Sequence, residues 1–161
     1  MPRTIEPGSV REVELDPSTA EIYLRHAFDR MLEVAERLGE PQINQRPLGS
    51  QTNAVAALII HCCAVSDFWL GHVALGHPSD RDRESEFGRT STLAELHALV
   101  TKTVERAVDH LGRLEADHGS DSGGRQFLPG GDASDAAVVL HVLEELYQHL
   151  GHMDLAADAL A

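Results

Sequence analysis

The sequence predicts an all-α protein that folds as a four-helix bundle. Four segments repeat apolar residues at helical spacing, and alanine and leucine dominate them. Aromatic residues make up only 4% of the chain, whereas strands favour aromatic and β-branched side chains. We therefore expect a core of helices packed on helices. The length of 161 residues suits one domain, which we assign to residues 16–161 after an extended arm, residues 1–15.

Composition and charge exclude several classes of protein. The net charge of −13 repels a phosphate backbone, so we expect no nucleic-acid partner. No unbroken apolar run reaches the roughly 18 residues of a membrane span, and the N-terminus lacks the apolar core of a secretory signal. Cys62 and Cys63 are adjacent, a spacing that a helix cannot bridge by a disulfide. We therefore expect two reduced thiols, no membrane partner and a cytoplasmic location.

The first helix is expected to open at Asp16-Pro17-Ser18 and to run to Leu38. Ser18 and Glu21 have the spacing of a capping box. Gly39 follows the last periodic residue and predicts the end of the helix.

The second helix is expected from about Thr52 to Leu70. It is apolar almost all round, which indicates burial inside the bundle. His61 lies in its middle, where a polar ring needs a partner. The following segment, HPSDRDRESEFGR at 77–89, is dense in charge and is interpreted as a solvated loop.

The third and fourth helices flank a Gly-rich segment, residues 119–134. Thr92 and Glu95 predict a capping box at the start of the third helix, which should reach about residue 116. Loops as long as the Gly-rich one are usually functional or mobile. Within it, Arg125 is interpreted as a solvated side chain, with contact to an acidic substrate or cofactor as the alternative. The fourth helix is expected from residue 134 or 135 to Leu160.

A candidate metal site combines residues of the second and fourth helices. Glu145 and His149 are four residues apart and therefore stack on one helix face. His61 would add a third ligand from a neighbouring buried helix, and three protein ligands with an open position are typical of a catalytic metal. The alternative makes His61 a core histidine bonded to a carbonyl and Glu145 a solvated carboxylate. With ten histidines in the chain, chance spacings are expected.

Other polar residues near these positions are weaker candidates. His152 and Asp154 would orient a ligand, or His152 would act as a general base beside the metal. His141 is a further orienting candidate. Cys62 is an alternative nucleophile or ligand, although the role expected of both cysteines is that of small buried apolar residues.

Two segments carry a resemblance to a known family. HCCAVSDFWLGHVALG, which starts at His61, and EELYQHLGHMDL, which contains Glu145 and His149, together resemble the DinB-like superfamily of metal-binding four-helix bundles. The likeness covers most of residues 20–160. The E-x-x-x-H variant on the last helix is similar to the mycothiol-dependent maleylpyruvate isomerases and related thiol S-transferases.

This resemblance implies a divalent metal, zinc or alternatively nickel, bound by His61, Glu145 and His149. It also implies a low-molecular-weight thiol such as mycothiol, bound to the metal as a thiolate and transferred to a small-molecule electrophile. A homodimer is implied as well. The isomerases carry a further C-terminal domain that this sequence lacks, so we do not expect maleylpyruvate isomerisation. A metal-dependent hydrolase that uses metal-bound water and a non-catalytic metal-binding module are the alternatives.

Overall fold

The computed structural model describes residues 15–114, 124–129 and 134–160, and within them it is helical, with no strand. The all-α prediction is thereby confirmed, whereas the predicted N-terminal arm lies almost entirely outside the described residues. The helices are α1 (Pro17–Leu38), α2 (Val55–Ser66), the single turn α3 (Arg83–Glu86), α4 (Leu93–Arg113) and α5 (Asp135–Leu160). Short 3-10 turns occupy Gln42–Asn44, Gly49–Gln51 and Arg125–Phe127.

The four long helices pack as a bundle around one core. α1 packs mainly against α5 and α4, and α2 packs against the same two helices, so α1 and α2 lie at opposite corners. The apolar stripe of each helix meets the others at the centre. The largest side chains sealed in this core include Leu24, Phe28, Met31, Ile59, Leu70, Leu96, Leu146 and Met153.

Helix α1 has the predicted bounds but a different cap. The N-cap is Asp16, whose Oδ2 accepts a hydrogen bond from the backbone N–H of Thr19 over 3.1 Å. The predicted capping box of Ser18 and Glu21 is wrong, because Ser18 is already helical and its hydroxyl donates to Asp16. At the other end Gly39 takes a φ of 72°, a positive value that glycine tolerates better than other residues.

Helix α2 continues without interruption into a π-helix, Asp67–Ala74. The helical run Gly49–Ala74 is long and apolar enough to cross a membrane, with a mean hydropathy of 1.7, but 78% of its most apolar window is buried inside the bundle. It therefore has the character of a core helix. A π-helix widens the turn and shifts the faces of the side chains that follow, and such segments are frequent at functional sites.

Most of the charged segment 77–89 is exposed, as its composition predicts, but the segment is not a loop throughout. It contains α3, whose N-cap Asp82 accepts from the backbone N–H of Ser85. Glu86 at the end of this turn is only 4% exposed. Composition does not indicate this buried carboxylate, because the burial of Glu86 depends on its contact with His61 of α2.

The capping box at the start of α4 is confirmed. The Thr92 hydroxyl accepts from the backbone N–H of Glu95 over 3.2 Å, and the Glu95 carboxylate accepts from the backbone N–H of Thr92 over 2.8 Å. Helix α4 is helical to Arg113, close to its predicted end, and α5 has its predicted bounds.

Removing this cap tests how much it stabilises the bundle. We expect Thr92→Ala to lower the free energy of unfolding by about 1 kcal/mol, the usual cost of losing an N-cap side chain. Thr101→Ala is the control, because Thr101 lies on the exposed face of α4 and its hydroxyl donates only to the carbonyl of His97 one turn earlier. Urea unfolding of both variants checks this, and equal effects would contradict the capping role.

The interpretation of Arg125 as a solvated side chain is wrong. Arg125 is 7% exposed and Asp135, at the start of α5, is 5% exposed. The guanidinium Nη2 donates to Asp135 Oδ1 over 2.5 Å. This buried ion pair ties the Arg125–Phe127 turn to the first turn of α5.

Candidate metal centre

The three side chains singled out from the sequence meet between α2 and α5. His61 comes from the middle of α2, and Glu145 and His149 come from adjacent turns of α5. Each offers one ligand atom, and these atoms lie within 4.8 Å of one another. Glu145 Oε2 lies 3.5 Å from His149 Nε2 and 3.9 Å from His61 Nε2. The arrangement is a compact His/Glu/His cluster.

Two nitrogens of this cluster are buried without a hydrogen-bond partner among the described residues. They are His61 Nε2 and His149 Nδ1. His61 as a whole is only 1% exposed. A buried polar atom without a partner costs free energy, so an orphaned imidazole nitrogen facing a carboxylate is what a cation site without its cation would contain. The donor set therefore fits a bound metal.

The electrostatics of Glu145 also suit a cation. The imidazoles of His149 and, next, of His61 hold the pKa of the Glu145 carboxyl well below its usual range and outweigh the opposing effect of burial. Glu145 is thus a carboxylate at neutral pH. Two neutral imidazoles and one carboxylate are the ligand set of several catalytic zinc sites, and they leave one position open for another ligand.

A fourth polar residue contacts the cluster from the far side of His61. Glu86 Oε2 lies 2.6 Å from His61 Nδ1. Arg81 binds the same carboxylate twice, with Nε 2.7 Å from Oε1 and Nη2 3.0 Å from Oε2. Burial alone raises the pKa of Glu86, but the hydrogen bonds from Arg81 and His61 outweigh it and lower that pKa below its usual value.

Sequence reasoning missed Glu86 and Arg81. A buried histidine does require a polar partner, and that requirement was the available signal. However, the segment 77–89 offers several equivalent carboxylates, including Asp80, Asp82 and Glu84. Only the path of the backbone decides which of them reaches His61.

Aromatic rings pack against His61 of the cluster and against the neighbouring His141. The Phe87 ring lies 4.6 Å from the His61 ring, measured between centroids. Trp69, in the π-helix, lies 4.4 Å from His141, one turn before Glu145 on α5. His141 thus lies beside the site as expected, packed edge-on against an indole.

A cavity adjoins the cluster on the α4 side of α2. It has a volume of about 530 Å³ and lies between the π-helix, segment 77–89 and α4. Arg81 and Glu86 contribute to its wall, whereas the three candidate ligands do not. The Arg81–Glu86 pair therefore separates the cavity from His61.

Of the two residues predicted beside the ligands on α5, His152 lies next to His149 and Asp154 does not. His152 is exposed, with its ring 5.5 Å from that of His149, one turn further along α5. Asp154 does not orient a ligand as predicted, because its carboxylate lies 3.5 Å from Arg37 of α1 at the surface. The helical turn carries Asp154 away from the face that holds His149.

Both cysteines are buried free thiols, as expected for small core residues. Burial raises the pKa of Cys62 far above its usual value and that of Cys63 to about 12. A thiol is nucleophilic as its thiolate, so neither cysteine is suited to attack a substrate at neutral pH.

Comparison with known proteins agrees with this geometry. No curated protein matches the chain. The sequence model of one family, described as Mycothiol-S-transferase, matches residues 19–160. The match covers the four long helices, apart from the first two residues of α1, and includes all three residues of the His/Glu/His cluster. The chain therefore belongs to the mycothiol S-transferase family, within the DinB-like group.

Proposed function

We propose that this protein transfers a low-molecular-weight thiol, mycothiol or a close relative, to a small electrophile. A divalent metal, zinc or nickel, would be held by His61, Glu145 and His149. The observation that carries the proposal is the buried Nε2 of His61, which has no hydrogen-bond partner in the part of the chain that the structure describes and faces a carboxylate and a second imidazole. Family membership supplies the class of thiol.

The ligand set suits the activation of a thiol. A divalent cation lowers the pKa of a ligated thiol, so that a nucleophilic thiolate is available at neutral pH. Because Glu145 contributes the single negative charge among the three side chains, the bound cation would keep a net positive charge that favours an anionic sulfur. The protein side chains then have to hold the thiol and the electrophile in line.

Packing and helical structure restrain the three candidate ligand side chains. His61 is packed on one side by Phe87 and hydrogen-bonded at Nδ1, so its ring has little freedom. Glu145 and His149 belong to a regular helix of 26 residues. Ligands held in this way need little reorganisation when the reaction begins.

The decisive experiment compares turnover with and without the thiol. Purified, zinc-loaded protein is mixed with an electrophile such as a chlorinated nitrobenzene, with or without mycothiol, and the thioether is followed by absorbance and mass spectrometry. Turnover that depends on mycothiol supports the proposal. Hydrolysis of ester or amide probes without thiol would favour the hydrolase alternative, and no turnover with any nucleophile would favour a non-catalytic metal module.

His152 is proposed as the group that accepts the thiol proton. Its exposed ring next to His149 lies at the edge of the cluster, where a proton can pass to solvent. We expect His152→Gln to lower kcat on the order of 10²-fold, the lower end of the usual range for a general base. Metal content should stay at the wild-type value, since His152 is not among the three clustered ligands.

The control for this prediction is His97→Gln. His97 is also an exposed helical histidine but pairs with Glu36 on another face of the molecule. An unchanged kcat in His152→Gln, or a loss equal to that of His97→Gln, would remove His152 from the mechanism.

Homodimer formation stays a prediction, which light scattering of the purified protein would check.

A further inference from the structure

We propose that Glu86 is a positioning residue for His61, and that Arg81 holds Glu86 in the required orientation. Together they select the ring nitrogen that His61 presents to Glu145 and His149. The inference rests on the metal site of the proposed function and adds to it two residues outside the ligand set.

The two nitrogens of the His61 imidazole have different roles. In a neutral ring one nitrogen carries a hydrogen and the other a lone pair, and the hydrogen bond at one nitrogen decides the state of the other. Arg81 contacts both oxygens of Glu86 and so holds it as a carboxylate, which only accepts hydrogen bonds, and Glu86 Oε2 lies 2.6 Å from His61 Nδ1. The hydrogen must therefore lie on Nδ1. Nε2 is left with the lone pair that a metal requires.

The direction of Nε2 agrees with this assignment. Nε2 is the His61 nitrogen that lies 3.9 Å from Glu145 Oε2, and it has no hydrogen-bond donor among the described residues. Metal-binding histidines commonly donate their second N–H to a carboxylate, which fixes the ring and makes it a better ligand. The hydrogen bonds that link Arg81 to Glu86 and Glu86 to His61 form such an arrangement.

Arg81 explains why the Glu86 carboxylate keeps its orientation. Its guanidinium bonds to both oxygens, with Nε at Oε1 and Nη2 at Oε2. Such a two-point contact fixes a planar carboxylate far better than a single bond. The guanidinium also lies 5.3 Å from the Phe68 ring, a cation–π contact that anchors it to the π-helix. Arg81 Nη2 also lies 3.5 Å from His61 Nδ1, at the limit of a hydrogen bond, so Arg81 acts on His61 mainly through its shorter bonds to Glu86.

A purely structural role is the competing explanation. In that case the Arg81–Glu86 pair would only tether segment 77–89 to α2. Its loss would then lower the stability of the protein without changing the affinity of the folded protein for metal. The two roles therefore differ in a measurable quantity besides activity.

The first measurement is zinc affinity by competition with a chromophoric chelator. We expect Glu86→Ala to bind zinc about 10–100-fold more weakly than the wild type, the usual effect of losing such an orienting partner. Glu86→Gln and Arg81→Ala should weaken binding in the same direction by less, because each keeps an acceptor at Nδ1. Glu84 is an exposed carboxylate in the same turn, so Glu84→Gln is the matched control and should bind zinc with the affinity of the wild type.

The second measurement is nitrogen-15 NMR of His61 in the metal-free protein, recorded at alkaline pH and assigned with a His61→Gln variant. The wild type should show the hydrogen on Nδ1, and Glu86→Ala should shift the population towards the form with the hydrogen on Nε2. A wild-type hydrogen on Nε2, or wild-type zinc affinity in Glu86→Ala, would overturn the positioning role. If Glu86→Ala does not fold, Glu86→Gln and Arg81→Ala decide by the same criteria.

The outcomes also separate this inference from the proposed function. A wild-type protein that binds no zinc would end the proposed function, yet the NMR result on metal-free protein would still show whether Glu86 orients His61. Conversely, if the Glu86 and Arg81 variants bind zinc and transfer the thiol as the wild type does, the proposed function stands and the positioning role is ruled out.

Discussion

The variant His149→Ala is expected to lose stoichiometric metal and, with it, thiol transfer, while the bundle stays folded. His149 supplies one of three clustered ligand atoms, so its loss leaves only His61 and Glu145. Its side chain is 14% exposed at the edge of the site, and alanine is the best helix former. The loss of metal affinity should therefore exceed the ~10–100-fold expected for an orienting partner.

Metal content by mass spectrometry measures this effect, on protein prepared without a histidine tag. The wild type should carry about one divalent ion per chain, as expected of a three-ligand site. His97→Ala, at an exposed histidine of α4, is the control and should keep its metal. A wild-type metal content in His149→Ala would refute the site. So would a wild type that takes up no zinc or nickel on incubation.

His61→Ala is a less direct test of the same site. Its removal also leaves a void in the core and takes from Glu86 the imidazole that it contacts. Unfolding would then accompany the loss of metal. Glu145→Gln is the better companion variant, because it preserves the shape of the side chain and removes only the charge.

The second large effect concerns stability. We expect Asp135→Ala to lower the free energy of unfolding by about 3–5 kcal/mol, the usual cost of breaking a buried ion pair from one side. The variant removes the buried carboxylate that compensates the Arg125 charge. It also removes a negative side chain from the first turn of α5, where it interacts favourably with the helix dipole.

A double variant tests whether the loss of stability comes from leaving the Arg125 charge buried without its partner. Arg125→Met combined with Asp135→Leu replaces the pair by apolar side chains of similar volume, and we expect it to recover most of the lost stability. Urea unfolding of the metal-free protein gives all the free energies required. A loss below about 1 kcal/mol in Asp135→Ala would instead assign the pair the small contribution of a surface ion pair.

The helices of this protein could be predicted because their signals are local. The capping box of Thr92 and Glu95 and the glycine at position 39 mark helix ends in the sequence as they do in the structure. The sequence predicts the cap of α1 two residues late, since aspartate and serine compete for the same backbone groups at Asp16 and Ser18. The π-helix after Ser66 could not be predicted, because no local pattern distinguishes it from a continuing α-helix.

The residues of the candidate site could also be identified from local sequence signals, whereas their meeting depends on tertiary packing. Glu145 and His149 could be paired from their spacing alone, since one helix holds both. His61 stood out as a polar ring in an apolar helix, which is also a local observation. Their meeting is a property of how α2 packs on α5. The residue pattern predicts it beside the alternative of a core histidine, and the resemblance to a family implies it.

What the sequence determined by itself is therefore the set of helices, their apolar faces and the residues with the chemistry for a metal site. These follow from periodicity and from caps, which act over a few residues. Only the tertiary structure decided that Glu86 and Arg81 complete the surroundings of His61 and that Arg125 is buried against Asp135. The physical reason is that the burial of a charge depends on which distant partner can compensate it, and sequence spacing does not specify that partner.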